Sequence, residues 1–427
     1  YRNQIGANTS SGYDNPFWIL NRITNNSKVN RFLGNFEGRF DATSWLQFTA
    51  RTGVDTYNDY RQENFPVISA SFPGGSLTVQ DITELQFNND VFGRVKQKLT
   101  DNINFTGLLG FNYNNREFQN TGATARNFIL PDAPFDLGNS ASSARFPFNS
   151  NSTIRTTAGY TQLSFDLYNQ LYLDFTGRAE NASTFANTFY YPSASLAWQF
   201  TELPSFKEKN TLSFGKIRAS YGEVGVQPGP YLSQTYFNSA AFGESYGPTL
   251  DASSDTYGGG YVRSSLQGNP DIQPERKKEF ELGTDLRFFA DKLSLSGTYY
   301  NNKTEGAIFG VAVPATTGFT QRNDNAAKIQ NKGVEIDLGL QLLNQSAFSW
   351  NAAANWSKNK NEVVDLKGVT SFFLNGFAGT SSRAVEGQPL GVLWGTDFNR
   401  DASGKLVLDA NGFPAAAASE SVLGDPN

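Results

Sequence analysis

Charged side chains recur at every second position in the segment EFELGTDLRFFADKLSLSGTYYNNKTEG, residues 279–306, and could bind ions or polar solutes. Successive side chains of a β-strand point to opposite faces, so this spacing gathers the charges on one face. That face carries Glu279, Glu281, Asp285 and Arg287. The other face carries Phe280, Leu282, Thr284, Leu286 and Phe288. The pattern therefore predicts a strand with one polar and one apolar face.

A second candidate for chemistry is the acidic segment DFNRDASGKLVLDANG, residues 397–412. Asp397, Asn399 and Asp401 match the first three oxygen ligands of a calcium-binding loop. Ala402 stands where the sharp turn of that loop needs glycine, and Leu408 replaces the bidentate glutamate. We therefore predict two Asx-rich turns in a small external hairpin, with a structural calcium ion as the alternative. We expect no other metal and no cofactor.

Composition argues against catalysis and against nucleic-acid binding. The 427 residues contain neither His nor Cys, which removes the commonest general base and all thiol chemistry. The net charge of -5 and a pI near 5.1 are unlike the basic surfaces that bind nucleic acid. We predict that the protein is not an enzyme and has no nucleic-acid partner.

The same alternation recurs along the chain, which predicts an all-β protein of about twelve strands. After the polar turn at 290–292 it resumes with Leu293, Leu295 and Tyr299 on one face. It also occurs at 45–55, 103–113, 171–178, 193–200, 216–221, 333–342 and 348–357. Many of these strands reach about 10 residues, longer than the 5 or 6 usual in soluble sheets. We expect sequential, antiparallel pairing.

Loop lengths favour a membrane barrel over a soluble β-sandwich. No run approaches the roughly 18 apolar residues of a membrane helix, so any contact with lipid would be made by strands. Tight turns are predicted at 40–45, 99–102, 167–170, 289–292 and 343–347. They alternate with long loops at about 59–82, 119–152, 224–274, 309–327 and 362–427. A spanning barrel sorts its connections in this way, and a sandwich, the alternative, does not.

In a barrel, the apolar face meets lipid and the charged face lines a wet lumen. The predicted lumen-lining residues are Arg51, Asp55, Lys216, Arg218, Glu279, Glu281, Asp285, Arg287, Glu335 and Asp337. Opposite charges on neighbouring strands can pair with one another. We interpret these residues first as wall structure, with a path for a solute as the alternative.

Seven segments together resemble the SusC/RagA family of TonB-dependent outer-membrane transporters of Bacteroidetes. They follow the family's order over nearly the whole chain: 14–40, 159–185, 190–200, 216–231, 268–286, 329–338 and 386–395. Examples are GNPDIQPERKKEFELGTDL at 268–286 and EGQPLGVLWG at 386–395. Each motif alone is modest, but their joint order is specific.

The resemblance implies a 22-stranded barrel with a plug, in the outer membrane of a Gram-negative cell. It further implies a SusD-like surface lipoprotein as lid, energy from TonB through an N-terminal part, and a substrate of oligosaccharides or peptides. Two barrel–lid units would form a dimer. We find no plug, TonB box or terminal aromatic strand, so residues 1–427 are interpreted as a partial barrel from the middle of a longer protein.

The resemblance also places the long connections, including 224–274 and 362–427, outside the cell. Aromatic side chains cluster in the first of these loops and form platforms suited to sugar rings or peptide side chains. The candidate substrate-binding residues are Tyr231, Tyr236, Phe237, Tyr246, Tyr257 and Tyr261. The alternative is ordinary loop packing or contact with the lid.

Active import is therefore the favoured function, and other functions stay open. A passive porin needs the same barrel wall without a plug. A structural or adhesin barrel, or a surface enzyme on the same scaffold, would use the loops instead. Fold resemblance by itself does not establish transport.

Overall fold

A computed structural model describes residues 14–206, 211–239, 241–242, 250–251, 261–345, 347–377 and 380–426. One short helix, α1 (Pro16–Arg22), precedes the strands, and Asn15 caps it by accepting a hydrogen bond from the Phe17 amide at 2.8 Å. Three single 3₁₀ turns lie at Ser142–Ala144, Phe200–Glu202 and Ala315–Thr317. No helix in these described ranges is long and apolar enough to cross a membrane.

Strands make up most of the chain. The first eight are β1 (Thr24–Asp41), β2 (Leu46–Phe65), β3 (Ser76–Thr100), β4 (Ile103–Arg126), β5 (Arg145–Leu167), β6 (Leu171–Ala182), β7 (Phe189–Trp198) and β8 (Leu212–Val226). Five short strands follow: β9 (Phe237–Ser239), β10 (Ala241–Phe242), β11 (Leu250–Asp251), β12 (Tyr261–Arg263) and β13 (Leu266–Gln267). Four long strands come next: β14 (Glu275–Phe288), β15 (Leu293–Ala312), β16 (Gln321–Gln345) and β17 (Phe348–Asp365). The last four are β18 (Ser371–Phe377), β19 (Thr380–Val385), β20 (Val392–Gly395) and β21 (Ser421–Gly424).

The twelve long strands form one sheet in sequential order, β1 to β8 and then β14 to β17, as the sequence predicts. The short β13 joins its edge by pairing parallel to the start of β16. The strands β18 to β21 form a separate four-stranded sheet. The fold is thus a segment of an antiparallel transmembrane β-barrel, and the prediction of about twelve strands is confirmed.

The chain divides into two compact units, and in the first of them β1 and β2 illustrate the two-faced design. This unit comprises residues 1–93 and 110–158. The ladder pairs Phe40 with Phe48 and Glu37 with Arg51. Phe36, on the apolar face of β1, is 73% exposed. The Arg51 guanidinium contacts the Glu37 carboxylate on the other face at 2.6 Å.

The second unit, residues 94–109 and 159–427, contains the hairpin of β14 and β15 that the alternation predicts. Leu286 pairs with Leu295 on one face, and Asp285 pairs with Ser296 on the other. The turn begins at Phe289, whose φ of 57° opens a run of positive φ values that continues to Asp291. Three left-handed residues in succession reverse the chain within the space of a tight turn.

Burial on β8 and β14 is inverted relative to a soluble protein. Phe280 and Leu282 on the apolar face are 44% and 47% exposed. The side chains of Asp285 and Lys216 on the polar face are only 26% and 29% exposed. An apolar surface of this extent is unfavourable in water but favourable against lipid, which is what a membrane barrel requires.

The strands extend further from the tight turns than the alternation predicts. The sequence prediction began loops at 59, 119 and 309, but β2 continues to Phe65, β4 to Arg126 and β15 to Ala312. The range 362–427, predicted as a loop, contains the end of β17 and the sheet of β18 to β21. Ladder hydrogen bonds continue where the outward face becomes polar, so the strands persist after the hydrophobic pattern has stopped.

A hydrophobic cluster joins the small sheet to the far ends of β15, β16 and β17. Ala327, Val363 and Phe372 are buried in it, and the Phe372 ring stacks on Phe309 with centroids 5.6 Å apart. The Asn361 side chain also accepts a hydrogen bond from the Leu390 amide at 2.7 Å. This packing fixes part of the region that sequence reasoning treated as an irregular loop.

Candidate functional site

The polar face of the second unit is built from rows of directly paired residues. One row runs Lys216, Asp285, Ser296, Asp337 and Asn355 across β8, β14, β15, β16 and β17. Paired residues of an antiparallel ladder share a face, so the strand register alone assembles this row. The row brings together three of the predicted lumen residues, Lys216, Asp285 and Asp337, which lie successively 69 and 52 positions apart in sequence.

Asp285 is the centre of this row. Its carboxylate contacts the Lys216 ammonium at 2.9 Å and the Arg218 guanidinium at 3.5 Å, and it accepts the Ser296 hydroxyl at 2.7 Å. Arg218 reaches across β14 to donate to the Thr298 hydroxyl at 2.6 Å. Gly283 makes room for it, because a Cβ there would lie 2.7 Å from the Arg218 Cζ.

A concave site of about 550 Å³ lies along this row. Its lining includes Lys216, Asp285, Arg287, Asp337 and Asn355, and it therefore offers both charge signs and an amide. Arg287 lies over the Phe214 ring, 5.0 Å from its centroid, and makes only a 3.9 Å contact with Asp291. Such a surface can donate to and accept from a polar, uncharged or zwitterionic solute.

Glu281 and Glu279 lie two and three rows further from the tight turn than Asp285, on the same face of β14. They line a second concave site of about 310 Å³ with Ser193, Ser220 and Lys277. The Lys277 ammonium contacts the Glu279 carboxylate at 2.8 Å. Glu335 pairs with Thr298 in the row of Arg218 and is exposed, like Asp337. The role of these carboxylates in lining a lumen stays a prediction.

In the first unit, the predicted residues Arg51 and Asp55 are both held in ion pairs. Arg31 donates to Asp55 through two nitrogens, with the shorter contact at 2.5 Å. Glu37 accepts from Arg39 and from Arg51 at the same time. Sequence reasoning missed Glu37, although its place two residues before Arg39 on a polar strand face was a usable signal.

Glu180 is a second residue that sequence reasoning missed. Its side chain is 9% exposed and pairs with Arg178 at 2.7 Å. It also accepts the Tyr191 hydroxyl at 3.0 Å and the Gln227 amide at 2.9 Å. Gln227 lies 47 positions away, so only the folded chain reveals this buried cluster, which anchors the start of the loop after β8.

The loop aromatics are only partly covered by the structure. Tyr231, Tyr236, Phe237 and Tyr261 are exposed, at 55%, 48%, 66% and 75%. Tyr246 and Tyr257 lie outside the described residues. Pairing of β9 with β12 places Phe237 and Tyr261 diagonally on one face of a small ladder. Their role in binding substrate stays a prediction. Sequence reasoning missed their neighbour Arg263, which lies 4.2 Å from the Phe319 ring centroid.

The acidic segment after β20 forms a narrow hairpin with Asx turns, in agreement with the favoured interpretation. Bridges pair Phe398 with Ala416 and Arg400 with Leu406. The Asp401 carboxylate accepts the Ser403 amide at 2.8 Å and the Lys405 amide at 3.0 Å. The Ser403 hydroxyl, the largest contribution, and these amides lower the pKa of Asp401.

The other two residues proposed as calcium ligands, Asp397 and Asn399, each form a hydrogen bond with the backbone. Asp397 accepts the amide of Phe398 at 2.7 Å, and Asn399 donates to the Ala416 carbonyl at 3.1 Å. In the described part of the chain, no three or more His, Cys, Asp or Glu side chains are grouped to hold a metal ion. Calcium binding at this hairpin stays an untested alternative.

Comparison with known proteins gives the same architecture. The sequence profile of a family described as "TonB dependent receptor-like, beta-barrel" matches residues 1–413. The chain belongs to this TonB-dependent receptor family. "TonB-dependent receptor P3" of Formosa agariphila is 25% identical over 429 residues, covering 97% of this chain and 41% of the relative. "TonB-dependent receptor SusC" of Bacteroides thetaiotaomicron is 26% identical over 218 residues, 49% of this chain and 21% of the relative.

Solved TonB-dependent receptors share the fold. The structure of the RagAB peptide transporter superposes with a TM-score of 0.77 at 19% identity, covering 98% of this chain and 46% of that one. The siderophore receptor PiuA of Acinetobacter baumannii gives a TM-score of 0.52 at 14% identity, covering 87% of this chain and 52% of that one. The family resemblance inferred from the seven motifs is confirmed. The chain spans less than half of the first curated relatives it matches.

We predict that Asp285→Asn lowers the free energy of unfolding of the barrel by about 1 kcal/mol. The change removes the negative charge that Lys216 and Arg218 share while keeping the side-chain volume. Urea unfolding of the receptor in lipid vesicles measures the effect. Arg287→Gln is the control, because the ion pair between Arg287 and Asp291 is long, at 3.9 Å, and both side chains are more than half exposed. Equal stabilities of the two variants would contradict the prediction.

Proposed function

We propose that the protein containing this chain imports oligosaccharides or peptides across the outer membrane, driven by TonB, with a SusD-like lipoprotein as lid. The observation that carries the proposal is the inverted sheet in a TonB-dependent receptor. Its apolar face is exposed for lipid, and its opposite face holds paired charges and two concave polar sites. A polar wall of this kind suits the passage of hydrophilic solutes.

The polar face and the loop aromatics together support the substrate class that the SusC/RagA resemblance implies, oligosaccharides or peptides. Sugars and peptides both present hydroxyl or amide groups that Lys216, Asp337 and Asn355 can bind. Exposed aromatic rings such as Tyr231 and Tyr261 can stack on sugar rings or peptide side chains. The fold shared with the RagAB peptide transporter supports the peptide alternative, and the SusC relative supports the same transporter class.

The lid and the energy source come from the SusC/RagA resemblance. A lid lipoprotein would contact the surfaces displayed after β8 and β17, where the long connections lie. Coupling to TonB would use a part of the protein other than the barrel wall described here. The family resemblance implies both the lid lipoprotein and TonB, whereas the geometry of the barrel wall implies neither.

The first test is purification of the native protein from outer membranes in mild detergent. Mass spectrometry of the intact complex would identify the full chain, any bound lipoprotein and any bound solute. We expect a longer chain with a plug domain, a lipoprotein in near-equal amount, and co-purified peptide or oligosaccharide. A chain without plug and lipoprotein would overturn active import and leave a passive or structural barrel.

The second test separates active import from passive diffusion. Uptake of the co-purified solute is compared between cells with TonB and cells lacking it, at equal amounts of receptor. Import should fall to the background level without TonB. Uptake that is unchanged without TonB, together with steady conductance in planar bilayers, would identify a porin instead.

A further inference from the structure

A patch of lysines lies on the outward, apolar side of the sheet, at the end remote from the tight turns. Rows near the turn are apolar on this side, and Leu286 and Leu338 both face Leu295. Moving away from the turn, the same face becomes charged, and its lysines lie beside the carboxylates Glu223 and Glu305. We call Lys278, Lys303, Lys332, Lys358 and Lys360, which lie on four adjacent strands, the lysine patch.

The register sets lysine directly against lysine twice in this patch. Lys278 on β14 pairs with Lys303 on β15, and Lys332 on β16 pairs with Lys360 on β17. Side chains directly opposite in an antiparallel ladder have Cβ atoms about 4.5–5.5 Å apart, and like charges there are destabilising. Two such oppositions lie on one face of a chain whose net charge is -5, so each must be offset locally.

One lysine of each opposed pair is neutralised within the protein. The Lys278 ammonium contacts Glu305 at 2.6 Å, and the Lys360 ammonium contacts Glu362 at 2.8 Å. Across the described residues, neither Lys303 nor Lys332 has a carboxylate within ion-pair distance. Both lie on interior strands, and their direct neighbours are Lys278 and Gln330 for Lys303, and Asn301 and Lys360 for Lys332.

The patch borders directly on the apolar band. Lys358 pairs with Val334, and Trp356, 54% exposed, pairs with Ile336 one row nearer the turn. Lys332 lies two residues along β16 from Val334 and is itself exposed. The border between an apolar band and a basic row is the level of lipid headgroups, and aromatic side chains favour the same level.

We propose that the lysine patch binds the phosphate groups of anionic, phosphorylated lipids in the leaflet at the loop end of the strands. The phosphates would give Lys303 and Lys332 an anionic partner within ion-pair distance, and acyl chains would lie along Leu282, Tyr299 and Val334. Clustered lysines at a membrane surface attract anionic lipids in this way. The site faces lipid, so it is separate from the polar face assigned to the solute.

The test compares the receptor in nanodiscs of phosphatidylethanolamine alone and with one fifth diphosphorylated lipid A. Native mass spectrometry counts the lipid A molecules retained as the lipid is diluted. Lys303→Gln/Lys332→Gln should weaken retention at least about tenfold. Lys303→Arg/Lys332→Arg, which keeps both positive charges, should retain lipid A as the wild type does. The matched control is Lys367→Gln/Lys405→Gln, which removes the same charge at exposed loop positions and should change nothing.

The effect of lipid A on the stability of the receptor provides an independent readout. A merely structural role of the two lysines would not make stability depend on lipid A. In detergent without lipid, the double glutamine variant should be at least as stable as the wild type, because repulsion is removed. With lipid A present, the wild type should gain stability and the variant should not. Equal retention by both proteins, or equal stabilisation of the wild type by inorganic phosphate, would overturn the proposal.

Discussion

Replacing Ala354 by arginine should lower the free energy of unfolding in a bilayer by about 2–4 kcal/mol, the cost of a lipid-facing arginine near the bilayer midplane. Ala354 pairs with Leu338 in the apolar row that also contains Leu286 and Leu295. This row lies between the tight turn and the lysine patch, near the middle of the apolar band. In the lipid, neither water nor a carboxylate would accept the hydrogen bonds that the guanidinium of this arginine donates.

The adjacent Asn355 provides the control for this prediction. Asn355 pairs with Asp337 on the polar face, so Asn355→Arg adds the same side chain beside a carboxylate. Its stability should stay within about 0.5 kcal/mol of the wild type. Urea unfolding of both variants in lipid vesicles gives the comparison. A larger loss of unfolding free energy for Asn355→Arg than for Ala354→Arg would show that the lipid-facing and polar faces are assigned the wrong way round.

Replacing Gly333 by alanine should destabilise the receptor by about 1–3 kcal/mol, because the site has no space for a methyl group. A Cβ at Gly333 would meet the Lys358 carbonyl oxygen and would lie 2.6 Å from the Tyr300 hydroxyl. Tyr300 pairs directly with Gly333, so its ring lies over the glycine. The ring could rotate away, but the backbone carbonyl of β17 could not move without straining the ladder.

Gly297 on the neighbouring strand is the matched control for Gly333. A Cβ at Gly297 would meet no atom within 4 Å. Gly297→Ala should therefore be neutral or stabilise by up to about 1 kcal/mol, because alanine restricts the unfolded chain more than glycine does. Denaturant unfolding of both variants in the same vesicles tests the pair. Similar stabilities would show that the close packing around Gly333 can relax at no cost.

Sequence reasoning identified the strands, their two faces and the tight turns because each of these depends on local information. The alternation of Phe280 to Phe288 with their charged neighbours has period two, which only a strand produces. The acidic hairpin could likewise be recognised, since the Asp401 carboxylate binds backbone amides two and four residues away. The family could be named from motifs because their order is preserved along the chain.

The sequence by itself thus determined an all-β chain with one apolar and one charged face, since side-chain direction in a strand follows from position alone. Only the tertiary structure decided which charges meet. Arg218 reaches Thr298 across 80 positions, and Lys303 faces Lys278 rather than a carboxylate. Strand register sets these encounters, and the exact register depends on the geometry of each turn and on hydrogen bonds between strands that are distant in sequence. The ends of the strands were decided in the same way, because ladder pairing continues past the apolar band.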